Sequence, residues 1–273
     1  MKKNKIDIIS DIHIEYWTKN IKRNYDIGLI EDYPFKLKNT DSKYLIIAGD
    51  ISDNLDDSIY FLKEAKKYYD LIIFVDGNHE HFNIYPELYD TNYINKRIND
   101  EKIYYLSKKS CIIDSTVFIG CNGWWDYNNN NMDTIKKYLE KGHLKRFNYN
   151  TENKIKLINN IIKTAYNDFL YLNNEIKKYD NDINIKNIII VTHTIPNTNF
   201  GFNNKNDYLD NNFGTQFNTN FNNLYKSNKI SKWIFGHVHG NHNEINNIHY
   251  ICNPRGGPTD YSRKIYNVET ILI

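Results

Sequence analysis

Short apolar runs that stop abruptly at polar turns set the rhythm of this chain. Residues 5–10 (KIDIIS), 44–48 (YLIIA), 71–75 (LIIFV), 187–192 (NIIIVT) and 232–235 (KWIF) are rich in Ile, Val and aromatics and alternate little. Strands buried on both faces, as in parallel sheets, read this way. Between the second and third runs, Ile59, Leu62, Ala65 and Tyr69 recur at helical spacing behind three candidate caps, Ser52, Asp53 and Asn54. The unit is strand, helix, strand, with an expected right-handed crossover. The longest predicted helix opens at Thr151 as its N-cap. It carries Ile155, Ile158, Ile162, Ala165, Phe169, Leu172 and Ile176 on one apolar face, which needs a sheet to cover it. A further helix is expected within 87–98 and strands at 103–106, 111–113, 116–120, 248–252 and 264–268. Residues 196–220 hold no sustained period, and so long a connection is expected to be functional, here as a substrate-side loop acting as a lid.

Composition narrows the class without naming a chemistry. The 273 residues show no internal repeat and no Pro/Gly/Ser-rich linker, so a single domain over 1–273 is the economical reading. With 40% hydrophobic and 25% charged residues the chain reads as globular and soluble. A formal net charge of +2, with lysines scattered, gives no footprint for nucleic acid or a membrane surface. The 3 cysteines, Cys111, Cys121 and Cys252, have no metal-binding spacing and are odd in number, which predicts free thiols in a reducing, cytoplasmic setting. Asp7, Asp11 and His13 interrupt the first apolar stretch, so neither a signal peptide nor a membrane span is expected there, and no Asn-x-Ser/Thr acceptor occurs.

The chemistry sits where the apolar runs end. In order, they deliver Asp11 and His13, then Asp50, then Asn78 and His79, then His193, then His237 and His239. Singly, each is ordinary turn chemistry. As a series at the ends of parallel strands they would share one rim, where ligands of open α/β sheets gather. Imidazoles, carboxylates and an amide carbonyl together suit Mn, Fe, Zn, Ni or Co rather than Ca, which prefers oxygen alone. A carboxylate can bridge, so Asp50 is the candidate to hold both ions of a pair about 3.5–4 Å apart, with a hydroxide between them for in-line attack on phosphorus. His79 would be redundant as a ligand and is free to act as a general acid or a cationic stabiliser. Gly77 is expected to give its turn a backbone conformation that a side chain forbids.

The blocks Asp11-x-His13, Gly49-Asp50, Gly77-Asn78-His79-Glu80, His193 and Gly236-His237-x-His239 resemble, in order, those of the calcineurin-like metallophosphoesterase superfamily. The resemblance implies an α/β fold, a four-layer α/β/β/α sandwich of two mixed β-sheets flanked by helices, with a dinuclear metal site at the carboxyl ends of the strands. It implies one metal on Asp11, His13, Asp50 and His239, a second on Asp50, Asn78, His193 and His237, and His79 as the catalytic histidine. The activity implied is hydrolysis of a phosphodiester or phosphomonoester, with manganese among the candidate ions. A non-catalytic metal-binding scaffold on the same fold is the rival, but such chains tend to lose a ligand or the catalytic histidine and none is missing here.

Around this set, Arg255, in the turn Asn253-Pro254-Arg255-Gly256, is a candidate to meet a substrate phosphate bidentately. Trp124 and Trp125 are candidates to stack a nucleotide-like substrate, against the packing role commoner for aromatics. Asp53 is read as a helix cap, Glu80 and His81 as supporting or surface groups, and His143, His242 and His249 as surface or structural.

Overall fold

The computed structural model describes residues 4–17, 41–141, 150–200, 214–257, 260 and 266–273. The apolar runs become β1 (Lys5–Ile9), β2 (Tyr44–Ala48), β3 (Leu71–Val75), β7 (Asn187–Val191) and β8 (Ile230–Phe235). The other strands are β4 (Ile103–Tyr105), β5 (Lys109–Ile113), β6 (Thr116–Gly120), β9 (His242–Ile245), β10 (His249–Cys252) and β11 (Glu269–Leu272). They form two mixed sheets, in the orders β11-β1-β2-β3-β4 and β5-β6-β7-β8-β10-β9. Strands β1 to β4 run parallel with β11 antiparallel at the edge. In the second sheet β6, β7, β8 and β10 are parallel, and β5 and β9 antiparallel edges.

The continuous apolar runs follow from covering each sheet on both sides. Ile6, Ile8, Ile46, Ala48, Ile73 and Val75 face Phe118, Ile189, Val191, Ile234 and Ile251 between the sheets. On the outer face of the first sheet, Leu45, Ile47, Ile72 and Phe74 pack under α1 (Leu55–Ala65) and α2 (Thr91–Ile98). On the outer face of the second, Val117, Ile119, Ile188 and Ile190 pack under Leu172, Ile176 and Tyr179 of α4 (Thr151–Asp180). The helix needing a sheet has found one, and the layers are α/β/β/α. The first half of α4 and α3 (Met132–Lys141) enclose Trp124, Trp125 and Tyr127 in a satellite core. Each fully buried Leu or Ile here contributes roughly 1.5–3 kcal/mol.

Several details depart from the sequence pattern. Asn54 caps α1 by accepting from Asp56 N, and Asn150, rather than Thr151, caps α4 by accepting from Asn153 N. The buried stripe of α4 runs through Leu157, Ile158, Ile161, Ala165, Asp168, Leu172, Ile176 and Tyr179, so Ile155 is left exposed and a carboxylate is taken in. The helix expected over 87–98 begins only at Thr91, behind the Asp90 cap. Strand β9 was masked by its polar sequence, HNEI. The closing strand is β11, paired with β1, rather than 264–268: residues 266–268 are not a strand, and 264–265 lie outside the described residues. His143 and residues 201–213 of the expected lid also lie outside them. In the described parts of 196–220, Phe200 and Phe217 are buried. No described helix is long and apolar enough to cross a membrane.

Candidate metal centre

Each candidate side chain lies just past a strand terminus, three strands coming from one sheet and two from the other. The rim is therefore shared across the sandwich instead of lying along one sheet. Backbone hydrogen bonds knit the loops: Asp11 N donates to Gly49 O (3.0 Å), His13 N to Asp50 O (3.1 Å), Gly236 N to His193 O (2.9 Å) and Gly256 N to Asp11 O (2.9 Å). Asp11, His13, Asp50 and His237 all take positive φ, at 47°, 50°, 54° and 70°. Gly77 does not; its role is space. A Cβ on Gly77 would stand 2.0 Å from Asp50 Oδ1, so the glycine lets two loops touch and the expected backbone role is replaced by a steric one.

Of three clusters of ligand atoms on this rim, two gather the expected ligands, Asp11 with His13 and His239, and Asp50 with His193 and His237; the third joins His13 to Glu15, Asp53 and His79, and the atoms of each lie within 4.8 Å of one another. In the second cluster, His193 Nδ1–H donates to Ala48 O (2.8 Å) and His237 Nε2–H to Thr215 O (2.8 Å). Carbonyl oxygens only accept, so both protons are assigned. His193 Nε2 is then left 3.2 Å from His237 Nδ1, 3.2 Å from Asn78 Oδ1 and 3.1 Å from Asp50 Oδ2. Four lone-pair donors meeting at one point repel unless a positive charge sits among them. A proton can supply that charge as well: burial alone would lower His193, but Asp50 and Asp11 outweigh it and raise it to about 10, while burial and His193 pull His237 down to about 3. Burial likewise opposes ionisation of Asp50, yet His193 and His79 hold its carboxyl well below the usual range.

In the first cluster His13 Nε2 faces His239 Nε2 at 3.1 Å, with His239 Nδ1 on Asp260 and His13 Nδ1 2.9 Å from Glu15 Oε1. Asp11 Oδ1 accepts from His237 N (2.8 Å), whereas Asp11 Oδ2 is buried with no hydrogen-bond partner among the described residues, and burial pushes this carboxyl up to about 6. An orphaned carboxylate oxygen beside two facing imidazoles is a donor set that a divalent cation fits. Asp50 Oδ2 lies 4.0 Å from His13 Nε2 as well as 3.1 Å from His193 Nε2, between the two clusters.

His79 stands beside the Asp11 and Asp50 clusters, in the third. Its Nδ1 pairs with Asp53 Oδ1 (2.5 Å), its backbone N donates to Asp50 Oδ1 (2.9 Å), and Nε2 lies 3.7 Å from Asp50 Oδ2. Burial works against its charge, but Asp50 and Asp53 prevail and raise it to about 9. Asp53 is thus the partner of this imidazole; the cap is its neighbour Asn54. Glu15, two residues past His13 on a short helical turn, was not singled out in the sequence; burial and Asp53 push it up to about 8. Glu80 and His81 are wholly buried, not surface groups. Glu80 accepts from Asp50 N, Ile51 N, Ser52 N, Gly77 N and Ser58 Oγ, tying the loop after β2 to the loop after β3. His81 bonds Asp76 Oδ2 at 2.7 Å.

Arg255, Trp124 and Trp125 are buried, at 1%, 2% and 4% exposed. Trp125 lies against the His237 ring (centroids 5.5 Å apart) and Trp124 against His81 (5.4 Å), so both act by packing behind the rim. Asp53 and Asp260 went unrecognised as histidine partners because each meets its histidine through the fold, Asp260 across 21 residues and Asp53 across 26, whereas Glu15 is only two residues from His13.

Comparison with known proteins gives a family match and a consistent set of folds. The family model for calcineurin-like phosphoesterases matches residues 4–241. "Uncharacterized protein L509" of Acanthamoeba polyphaga mimivirus is 28% identical over 251 residues, covering 85% of this chain and 83% of that protein. Among solved structures, phosphopantetheinyl hydrolase of Mycobacterium tuberculosis superposes with a TM-score of 0.63 at 13% identity, over 99% of this chain and 96% of that one. A dimetal phosphatase from Danio rerio gives 0.57 at 13% identity, over 99% and 92%.

Proposed function

Because this chain belongs to the calcineurin-like phosphoesterases, metal-dependent hydrolases of phosphoric esters, we propose that the two clusters are its dinuclear site and His79 its catalytic histidine. Asp11, His13, Asp50 and His239 would hold one divalent ion, and Asp50, Asn78, His193 and His237 the other. The observation that carries this reading is the inward turn of His193 and His237, whose outer nitrogens are both committed to backbone carbonyls. Bound there, two such ions supply Lewis-acid charge to a phosphoryl oxygen and lower the pKa of a water nucleophile.

The chain's own residues supply the rest. Asp53 holds His79 by Nδ1, so Nε2–H is the end presented toward the ester, placed to protonate the leaving oxygen or to stabilise charge on the phosphoryl group. Glu80 keeps Asp50 and His79 in register by gripping the backbone of both their loops. The substrate is proposed no more finely than a phosphate ester, since the burial of Trp124 and Trp125 removes the support for a nucleotide-like one. The same reading treats 1–273 as a single domain, supported by the pairing of β11 with β1, and as cytoplasmic, in keeping with three buried free thiols.

The test is a panel of aryl phosphomonoesters and phosphodiesters under Mn, Ni and Zn. Wild type should turn over at least one class, and His79→Ala should keep its metal while losing about 100-fold or more in kcat. Metal-loaded wild type inert across the panel would refute the proposal.

A further inference from the structure

Glu15 contacts both His13 of the first cluster and Asp53, the partner of His79. Its Oε1 lies 2.9 Å from His13 Nδ1, and its Oε2 accepts from Asp53 N at 3.3 Å. Oε1 is also 3.9 Å from His79 Nδ1, and the rings of His13 and His79 stand edge to face with centroids 4.4 Å apart. A cation on His13 Nε2 fixes that ring's proton on Nδ1, and a carboxylate accepting it there orients the ring and raises its basicity. Asp260 does the same for His239, at Nδ1, but among the described residues it has no contact with His79 or Asp53.

We infer that Glu15 is a positioning residue that couples the two halves of the proposed site, using one oxygen to set the metal ligand His13 and the other to set Asp53, and through it His79. The inference rests on the functional reading above. Its physical content is that one side chain cannot adjust one half without moving the other. An amide at this position accepts through a single oxygen and turns N–H donors toward the other contact, so Glu15→Gln cannot hold His13 and Asp53 as the carboxylate does.

The experiment compares Glu15→Gln with Asp260→Asn, each alone and combined with His79→Ala. Zn affinity is measured by chelator competition and turnover by kcat and KM separately, with thermal unfolding as the control for folding. Both single variants should weaken Zn binding about 10-fold to 100-fold. At saturating metal, Glu15→Gln should still lose about tenfold in kcat with KM little changed, and that loss should vanish in the His79→Ala background. Asp260→Asn should show no such dependence on His79. Unchanged Zn affinity in Glu15→Gln, or a kcat loss that simply multiplies with that of His79→Ala, overturns the inference. The Zn readout needs no turnover, so a failure of the functional reading, seen as inert wild type, is distinguished from a failure of Glu15 to act. Should Glu15→Gln unfold, Asp53→Asn combined with His13→Ala reads the same coupling from the other side, and additive effects on Zn affinity overturn it.

Discussion

Glu80→Gln tests most directly whether the rim is held by backbone grip. The carboxylate collects Ile51 N (2.7 Å), Ser52 N (3.3 Å) and Ser58 Oγ (2.9 Å) on one oxygen, and Gly77 N (2.7 Å) and Asp50 N (3.1 Å) on the other. A glutamine keeps the shape and one acceptor, and its amide NH2 must face the second set of donors. The cheaper orientation leaves Gly77 N and Asp50 N opposed, at roughly 1–3 kcal/mol for each buried donor without an acceptor. Removing a charge that burial already disfavours returns part of this, because desolvation and the Asp50 charge hold Glu80 above its ordinary range. A net loss of about 2–3 kcal/mol is expected. Urea unfolding of metal-saturated protein reads the stability, and metal analysis of the same samples reads occupancy, which should fall because the displaced loops carry Asp50 and Asn78. Stability within about 0.5 kcal/mol of wild type at full metal content would refute the grip.

Two further outcomes follow from other parts of the structure. Gly77→Ala places a methyl 2.0 Å from Asp50 Oδ1 and 2.6 Å from Asp50 N, so it should displace the carboxylate and cost about 1–3 kcal/mol together with most bound metal; full metal content and activity would contradict the steric role. Asp168 accepts from Gly123 N and Trp124 N and has Lys108 at 3.5 Å, yet burial pushes its carboxyl up to about 6. An acid whose folded pKa exceeds its unfolded one binds more protons when folded, so its destabilising charge is present above about pH 6 and relieved as pH falls toward about 4. Wild type should therefore gain about 1.3 kcal/mol over Asp168→Asn between about pH 7 and about pH 5, measured by parallel denaturant titrations. A wild-type gain that is absent or reversed would show that Lys108 and the two amides outweigh burial.

Which parts of this were legible in sequence depends on how local the cause is. A strand buried on both faces writes itself as an uninterrupted apolar run, so the strands that carry the rim, and the residues ending them, stand out one after another. His193 and His237 are recognisable because each directly follows, or nearly follows, such a run. Strand β9 was invisible because its HNEI sequence is that of a solvated edge, and β11 because an antiparallel edge needs only Ile271 buried. The pairing of Asp53 with His79 could not be told from capping, since Asp three residues after Asp50 suits both and only the approach of the β3 loop decides. Gly77 shows the same limit: its requirement is set by Asp50, which comes to it from another loop. Asp168 was hidden in an apolar helical stripe whose carboxylate answers to amides at the far end of β6.

The left-handed backbone at Asp11, His13, Asp50 and His237 bears on how this chain can change by mutation. Non-glycine residues pay roughly 1 kcal/mol or more each for that region, so the rim carries several kcal/mol that the rest of the fold must outweigh. A domain's margin against unfolding is only about 5–15 kcal/mol. Bound metal favours the folded chain alone and widens that margin. The number of destabilising substitutions the chain tolerates elsewhere should therefore depend on metal supply: a variant sound in metal-rich conditions can fall below the folding threshold in poor ones with its active-site residues intact.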